Sequence, residues 1–291
     1  MSLSQLKKQL KQQNRDLQKA KSNKRRWLWV GLALLVLLMV AWPSYQQYQQ
    51  SLPQQLLSQA EKLESLGQIE AAQDTYLQIY RDYPEDDVAP TALLRTGKLW
   101  QYDRHQDQQA LLSYLQLEHD YPESVLVQAA REEAAQIIKY SLRDYSQAIV
   151  AYQRLLDTAD SRQDRYLYEI ADCYYRLDNY IQARIELETL EQQYPQSDLI
   201  PELLYRKGGL LLLEKRLKDA RKAWQRLLND YPDSPFQAQT RFNLASLLEE
   251  ENFLQAALEQ YQQMKDYPQP LILEEKISHL KQRIKNKQKG L

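Results

Sequence analysis

The stretch that decides the fold is ARKAWQRLLNDYPDSP, residues 220–235. Ala220 and Trp224 stand four positions apart, so a helix would place both side chains on one face. There the small residue lets a neighbouring helix approach closely, and the large residue fills the space beside it. Pro232 follows, and proline both lacks an amide hydrogen and pushes the preceding residue out of the α region. The stretch therefore predicts a packed helix that ends at Tyr231.

This pattern repeats along the chain with a nearly fixed period. The alanine and its bulky partner occur in six units, which are Ala72/Tyr76, Ala110/Tyr114, Ala148/Tyr152, Ala183/Leu187, Ala220/Trp224 and Ala257/Tyr261. Tyr-Pro pairs begin at Tyr83, Tyr121, Tyr194, Tyr231 and Tyr267. Their intervals are 38, 73, 37 and 36 residues, and the interval of 73 is a double step whose missing pair falls at Ala159-Asp160. Such a period predicts a solenoid of stacked helical hairpins, for which binding is expected rather than catalysis.

Each unit is predicted to run from a helix A through a short turn to the helix B described above. Helix A carries a small residue about sixteen positions before the bulky residue of helix B, which permits close packing of A against B. These small residues are Gly97, Ala171, Gly208 and Ala245. Serines two positions after the prolines are predicted to be N-caps, and Pro235 is predicted to be the first residue of its helix. The serines are Ser124, Ser197 and Ser234.

These residues resemble the tetratricopeptide repeat, which has bulky, leucine, small and tyrosine-like positions on helix A, then alanine, an aromatic and a terminal proline on helix B. The resemblance covers residues 54–275. The long period and the Tyr-Pro-x-Ser turn are similar to those of bacterial envelope members, such as the β-barrel assembly lipoprotein and the Tol–Pal coordinating protein. The resemblance implies an all-α, right-handed superhelical solenoid of about six hairpins. A capping helix that contains Leu273, Ile277, Leu280 and Ile284 is expected to close it.

An apolar run precedes the repeats. Residues 27–42, WLWVGLALLVLLMVAW, contain no charge, and with Pro43 to Tyr45 they would span about 28 Å as a helix. Tryptophans and tyrosines cluster at both ends of the run, as they do at membrane interfaces. We therefore predict a single transmembrane helix at residues 27–45, in contact with the lipid bilayer, and a spacer at residues 46–53. A cleaved signal peptide is the alternative.

The charges on either side of the run predict its orientation. Residues 1–26 hold nine lysines and arginines against one acid, whereas no lysine or arginine follows the run before Lys62. By the positive-inside rule, residues 1–26 form a basic cytoplasmic arm and the repeats lie in the periplasm of a bacterium, anchored in its inner membrane. Leucines in the arm would allow either a short coiled coil with weak self-association or a basic amphipathic helix on anionic lipid. The only cysteine, Cys173, is far from the run, so lipid attachment there is excluded, and Cys173 itself is expected to be a small buried residue.

Charge and motif content exclude several functions. Both ends of the chain are basic, with a net charge of +8 in residues 1–26 and +6 in residues 276–291. Residues 276–291 comprise the end of the capping helix and a basic tail. Because the whole chain has a net charge of −1, residues 27–275 carry −15. An acidic solenoid is a poor partner for nucleic acid. The three histidines lie in different repeats or in the cap, and no catalytic or metal-ligand motif occurs. No enzyme activity, metal or cofactor is therefore expected.

Binding is expected along helix A, where tetratricopeptide repeats line their groove. The family's groove positions correspond here to Lys98, Tyr102, Lys139, Tyr140, Arg165, Tyr168, Tyr175, Arg176, Tyr205 and Phe242, together with Glu132 and Asp172. Tyrosine offers a large amphipathic contact surface at low entropic cost. The resemblance thus implies a membrane-anchored periplasmic scaffold that holds other envelope proteins in its concave groove. The alternative is a chaperone-like holdase ancillary to the Sec translocon.

Overall fold

The computed structural model describes residues 39, 42, 46–48, 50–158, 161–265 and 267–290. The described residues form helices joined by turns, and no strand occurs among them. The basic arm at residues 1–26 and nearly all of the predicted membrane segment at residues 27–45 lie outside the described part, as does Ala159-Asp160. Within the described residues, no helix has the length and apolar character needed to cross a bilayer.

The described chain contains thirteen α-helices, and it divides into two compact units, one ending at Leu99 and the other beginning at Trp100. Helix α1 covers residues 50–65. The others are α2 (Ile69–Asp82), α3 (Ala89–Lys98), α4 (Asp107–Asp120), α5 (Val127–Gln136), α6 (Tyr145–Thr158), α7 (Gln163–Arg176), α8 (Tyr180–Gln193), α9 (Ile200–Leu213), α10 (Leu217–Asp230), α11 (Gln237–Glu250), α12 (Leu254–Gln263) and α13 (Pro270–Gln288). The described residues of the predicted spacer, 46–48 and 50–53, are helical.

The predicted alanine and bulky pairs form the core of the fold. All twelve side chains are buried, with at most 3% of any one exposed. In the second unit, α5 packs on α6, α7 on α8, α9 on α10 and α11 on α12, as the A and B helices of four successive repeats. In the first unit, Ala60 of α1 packs in one cluster with Ala72 and Tyr76 of α2. The repeat pattern predicted from the sequence is therefore confirmed.

The contact between α9 and α10 shows why helix A needs a small residue. A Cβ atom on Gly208 would lie 2.2 Å from Nε1 of Trp224, well inside van der Waals contact. The indole Nε1–H donates a hydrogen bond to the backbone oxygen of Tyr205 at 3.0 Å. The absent side chain of Gly208 thus lets the Trp224 ring reach the backbone of α9.

The longest repeat periods have a structural cause that the sequence analysis missed. Helices α3 and α5 continue into π-helices at Leu99–Asp103 and Ile137–Ser141, and the amide of Leu142 bonds to the oxygen of Ile137, five residues back, at 3.0 Å. A π-turn inserts one residue into a helix. The small residue therefore lies seventeen positions before the bulky one in Gly97/Tyr114 and Ala135/Tyr152, and sixteen in Ala171/Leu187, Gly208/Trp224 and Ala245/Tyr261.

The turns between repeats confirm one sequence prediction and correct another. In four repeats helix B ends directly before the Tyr-Pro pair and the tyrosine is the C-cap, whereas in the last repeat α12 ends earlier and its C-cap is Met264. The serines, however, are not N-caps: the helices that follow are capped by Leu126, Leu199 and Phe236. Each serine Oγ instead accepts the amide hydrogen two residues later, at 3.2 to 3.3 Å, which stabilises the turn before the cap. Pro235 accordingly lies before its helix.

The predicted capping helix is present as α13, and it extends beyond Ile284, the last apolar residue on which the prediction rested. Leu273 and Leu280 of α13 are buried, while Ile277 and Ile284 pack half-buried against the same cluster, which includes Tyr261 of α12. The helix continues to Gln288, so most of the predicted basic tail is helical. After the exposed Leu271 and Ile272 in its first turn, the exposed residues of α13 are polar, as the end of a solenoid requires.

Two adjacent glycines of α9 provide a matched test of this packing. Gly208→Ala should lower the free energy of unfolding by about 1–3 kcal/mol, because the added methyl group displaces Trp224. Gly209→Ala should raise it by about 0.5–1 kcal/mol, because a Cβ there meets nothing within 4 Å and alanine is the better helix former. Thermal and urea unfolding followed by circular dichroism measures both. Equal effects of the two substitutions would contradict the packing described.

Candidate functional site

A cleft of about 460 Å³ lies on the helix A side of the fourth, fifth and sixth repeats. Its walls come from successive A helices. Helix α7 contributes Tyr168, Ala171, Asp172, Tyr175 and Arg176; α9 contributes Glu202, Tyr205, Arg206, Gly209, Leu210 and Leu213; Leu187, Phe236 and Asn243 complete the lining. A volume of this size is within the range of about 300–1,000 Å³ that ligand pockets occupy.

Helical spacing places these side chains on one surface. On α7, Tyr168, Asp172 and Tyr175 follow each other at intervals of four and three residues. On α9, Tyr205 and Leu213 lie one turn before and one turn after Gly209. Residues at such intervals share a helix face. The opposite side of each A helix packs on its helix B, so the core contact holds this face toward the cleft.

A ladder of charged side chains crosses the helix A surface from the third repeat to the fifth. Asp172 is 7% exposed, and its Oδ2 accepts a hydrogen bond from Lys139 Nζ at 2.7 Å while its Oδ1 accepts one from Arg206 at 2.6 Å. Lys139 also donates to Glu169, and Arg206 to Glu202 at 3.2 Å. The ladder therefore ties each A helix to the next.

Burial and ion pairing act in opposite directions on the pKa values of the ladder. Burial by itself raises the pKa of Asp172, but the hydrogen bonds and charges of Lys139 and Arg206 outweigh it and hold that pKa below its ordinary value. Burial likewise lowers the pKa of Lys139, and the carboxylates of Glu169 and Asp172 outweigh that effect and raise it. Both groups therefore stay charged at neutral pH.

Aromatic rings form much of the cleft wall. The guanidinium of Arg206 lies 4.9 Å from the centre of the Tyr168 ring, whose hydroxyl donates to Glu202. Tyr205 stacks on Phe236 with ring centres 5.1 Å apart. Both Tyr168 and Tyr205 are half-buried and pack against the core cluster of these repeats. They are thus held rigidly at the surface of the cleft.

Two further tyrosines are exposed on the preceding repeats, and both are placed by the π-helices. Tyr102 is 55% exposed and donates its hydroxyl to Glu133 at 2.7 Å. Tyr140 is 58% exposed and donates to Glu169 at 3.0 Å. Burial of part of each ring and the neighbouring carboxylate raise both pKa values, that of Tyr102 to about 12. Each hydroxyl therefore remains a hydrogen-bond donor that fixes its ring.

Four of the predicted groove residues line the cleft, namely Tyr168, Tyr175, Arg176 and Tyr205, and Asp172 lies among them. Tyr175 is 44% exposed, with its ring centre 5.7 Å from that of Tyr180. The prediction thus selected residues from different repeats that the fold brings together.

The other predicted residues lie elsewhere. Lys139 is 2% exposed and belongs to the interior of the ladder. Phe242 stacks on Tyr267 at 4.8 Å within the C-terminal core cluster. Arg165 is at the surface, 3.1 Å from Asp198, and Glu132 accepts a hydrogen bond from Arg162 at 2.6 Å. Lys98 ends α3 in the first unit and is half-buried.

The sequence carried signals for the residues that the prediction omitted. Gly209 and Leu213 stand at the same two repeat offsets as Asp172 and Arg176 but are neither polar nor aromatic. The position two residues before the small residue is charged in three repeats. Its side chains either take part in the charged ladder or accept a hydrogen bond from an exposed tyrosine. These are Glu133, Glu169 and Arg206.

Two kinds of reactive site, a metal centre and a nucleophilic cysteine, were looked for in the described part of the chain. No group of histidine, cysteine or acidic side chains there could hold a metal ion. Cys173 is buried, as predicted, and burial raises the pKa of its thiol to about 11, so the thiolate that reacts as a nucleophile is disfavoured.

Comparisons with known proteins agree with this architecture. Two family models, both described as tetratricopeptide repeat, match residues 137–198 and 202–234. No curated protein sequence matches the chain. Among solved structures, the fold is similar to a tetratricopeptide repeat protein from Parabacteroides merdae, at 13% identity and a TM-score of 0.52 over 78% of this chain and 98% of that one.

Two further structures show the same similarity. One is YrrB, described as a tetratricopeptide repeat protein with an unusual peptide-binding site, at 15% identity and a TM-score of 0.52 over 71% of this chain and 97% of that one. The other is PilF of Pseudomonas aeruginosa, at 14% identity and a TM-score of 0.50 over 79% of this chain and 97% of that one. At such identities the likeness concerns the fold alone. Together with the matched repeats and the buried alanine pairs, it shows that the chain contains tetratricopeptide repeats and has the fold of proteins built from them.

Proposed function

We propose that this chain is a scaffold that binds segments of other cell-envelope proteins along the A helices of its fourth to sixth repeats. The tetratricopeptide fold supports a protein-interaction scaffold in general. The observation that carries the proposal for this chain is the cleft, in which side chains of three successive repeats converge. A single repeat could not form such a site, whereas a stack of repeats forms it without added loops.

The surface beside the cleft suits an extended partner. Tyr102, Tyr140 and Tyr175 occur on three consecutive repeats of the second unit and are each at least 44% exposed. Their rings lie at the ends of successive A helices, so a partner that runs along the repeats meets one aromatic ring per repeat. Exposed tyrosine is enriched at protein interfaces because it combines a large apolar area with a hydrogen-bonding hydroxyl.

We further propose that residues 27–45 anchor the scaffold in the inner membrane of a bacterium, with the N-terminus in the cytoplasm and the repeats in the periplasm. The support comes from the uncharged run of residues 27–42 and from the nine basic residues that precede it.

Partner capture tests the scaffold. Replacing Tyr175 and Arg176 together by alanine should lower the recovery of crosslinked partners at least about tenfold, because exposed aromatic and arginine side chains carry much of the binding energy at interfaces. The thermal melt should be unchanged, since both side chains are largely exposed. Quantitative mass spectrometry after in vivo crosslinking provides the measurement.

The matched control is Val150→Ala, a truncation of a side chain that is 63% exposed on a helix B. It should leave partner recovery unchanged. Full recovery with the Tyr175 and Arg176 double substitution, or equal loss with Val150→Ala, would refute binding along the A helices. Suppression of aggregation of several unrelated unfolded proteins, with no stoichiometric partner, would favour the holdase instead.

Membrane topology is tested separately. Alkaline phosphatase fused after Leu291 should be active in cells, because this enzyme becomes active only in the periplasm. Green fluorescent protein fused at the same position should not fluoresce, because it does not fold after export in an unfolded state. The physical reason is the excess of lysine and arginine before residue 27. An inactive phosphatase fusion together with a fluorescent one would reverse the proposed orientation.

A further inference from the structure

We propose, on the basis of the scaffold function above, that the cleft of the fourth to sixth repeats binds a large apolar side chain of an extended partner segment together with a neighbouring carboxylate. The apolar side chain is inserted between α7 and α9. The carboxylate pairs with Arg176 at the rim.

The apolar part of this assignment comes from the composition of the walls. Leu213 of α9 provides exposed aliphatic surface, the buried Leu187 and Leu210 lie behind it, and the rings of Tyr205 and Phe236 lie beside it. Leu213 remains 53% exposed although it borders a concave surface. Burying such surface is favourable by roughly 25 cal/mol for each Å² removed from water, so an apolar side chain is the favoured occupant.

The space in the cleft exists because residue 209 has no side chain. A Cβ atom on Gly209 would meet nothing within 4 Å, in contrast to its neighbour Gly208. The equivalent position of the preceding repeat holds Asp172, which fills its surroundings with the charged ladder. Gly209 thus leaves an open space with apolar walls at the fifth repeat, next to the charged surface of the fourth repeat.

The charge of the occupant follows from which charged groups are already paired. Asp172 is 7% exposed and accepts hydrogen bonds from Lys139 and Arg206, while Glu202 pairs with Arg206. The Arg176 side chain is 53% exposed, its Nε lies 3.6 Å from Asp172, and no described residue accepts a hydrogen bond from it. Its guanidinium is the most exposed charged group on the cleft and presents donors in the geometry that a carboxylate accepts.

The amide of Asn243 indicates that the occupant is a peptide segment. Its Oδ1 accepts a hydrogen bond from Gln239 at 3.3 Å, and its Nδ2 donates to no residue in the described part of the chain. A side-chain amide donor in an apolar cleft suits the backbone oxygen of an extended chain. An aromatic or aliphatic residue adjacent to aspartate or glutamate is therefore the expected motif.

Selection from a library of random dodecapeptides displayed on phage tests this motif. The target is the full chain, solubilised in detergent and held by a C-terminal tag. Selected peptides should contain a large apolar residue within two positions of an acidic residue. Their affinity, measured by fluorescence anisotropy, should fall at least about tenfold on Gly209→Trp, which fills the cleft, and stay unchanged on the matched control Val150→Trp, which adds the same ring to an exposed position of a helix B.

The charge is tested by reversal. Arg176→Glu should weaken the acidic peptides about tenfold and should select basic residues at the same position, because the sign of the exposed rim charge is inverted. Both variants should melt like the unaltered chain, because Arg176 is largely exposed and a side chain at position 209 enters open space and not the core. If Gly209→Trp does not fold, the smaller Gly209→Met replaces it in the same assay.

The possible failures are distinguishable. Peptides that lack the motif, or that bind Gly209→Trp as well as the unaltered chain while losing affinity on Tyr140→Ala, would overturn the assignment of the cleft and leave the scaffold function in place. A selection that yields no peptide, combined with no crosslinked partner in cells, would overturn both.

Discussion

The structure depends on one contact, the approach of a bulky side chain on helix B to a small residue on helix A. In the fifth repeat the Trp224 ring reaches the backbone of α9 because Gly208 has no side chain. Equivalent pairs share buried clusters in the first, third, fourth and sixth repeats, for example Ala171 with Leu187. Individual helices of ten to nineteen residues have marginal stability in water, so these packed pairs are what makes the helices persist. They also set the rotation of each A helix, and hence which side chains face the cleft.

The candidate site is the other face of the same helices. Gly208 packs against Trp224 in the core. The next residue, Gly209, lines the cleft, and because it has no side chain the space beside it stays open. The charged ladder then joins neighbouring A helices through buried ion pairs such as Asp172 with Lys139. Breaking a buried pair on one side leaves an uncompensated charge, so the ladder favours a single arrangement of the repeats. A rigid surface of this kind loses little entropy when a partner binds.

Sequence spacing predicted the fold well because helical repeats depend on local rules. An alanine four positions before a bulky residue, and a proline that ends the helix, each act within one or two turns, so their meaning does not depend on distant residues. The serine prediction failed because a serine can bond to an amide in a turn as well as at a helix start, and spacing does not separate the two. The π-turns that place Tyr102 and Tyr140 have no characteristic residue type, and the sequence shows them only as one extra position between the small and the bulky residue of the repeat. Lys139 is buried by its ion pairs with the next repeat, and Phe242 packs half-buried against Tyr261 and Tyr267, which groove offsets within one helix cannot reveal.

Hydroxyl-radical footprinting of the full chain, alone and in complex with a crosslinked or co-purified partner, tests the central claim that partners bind along the A helices. Oxidation of Tyr175, which is 44% exposed beside the cleft, should fall when the partner is bound. Oxidation of Phe253, which is 59% exposed in the turn between α11 and α12, should not change. Unchanged oxidation of Tyr175 in an intact complex would contradict the account.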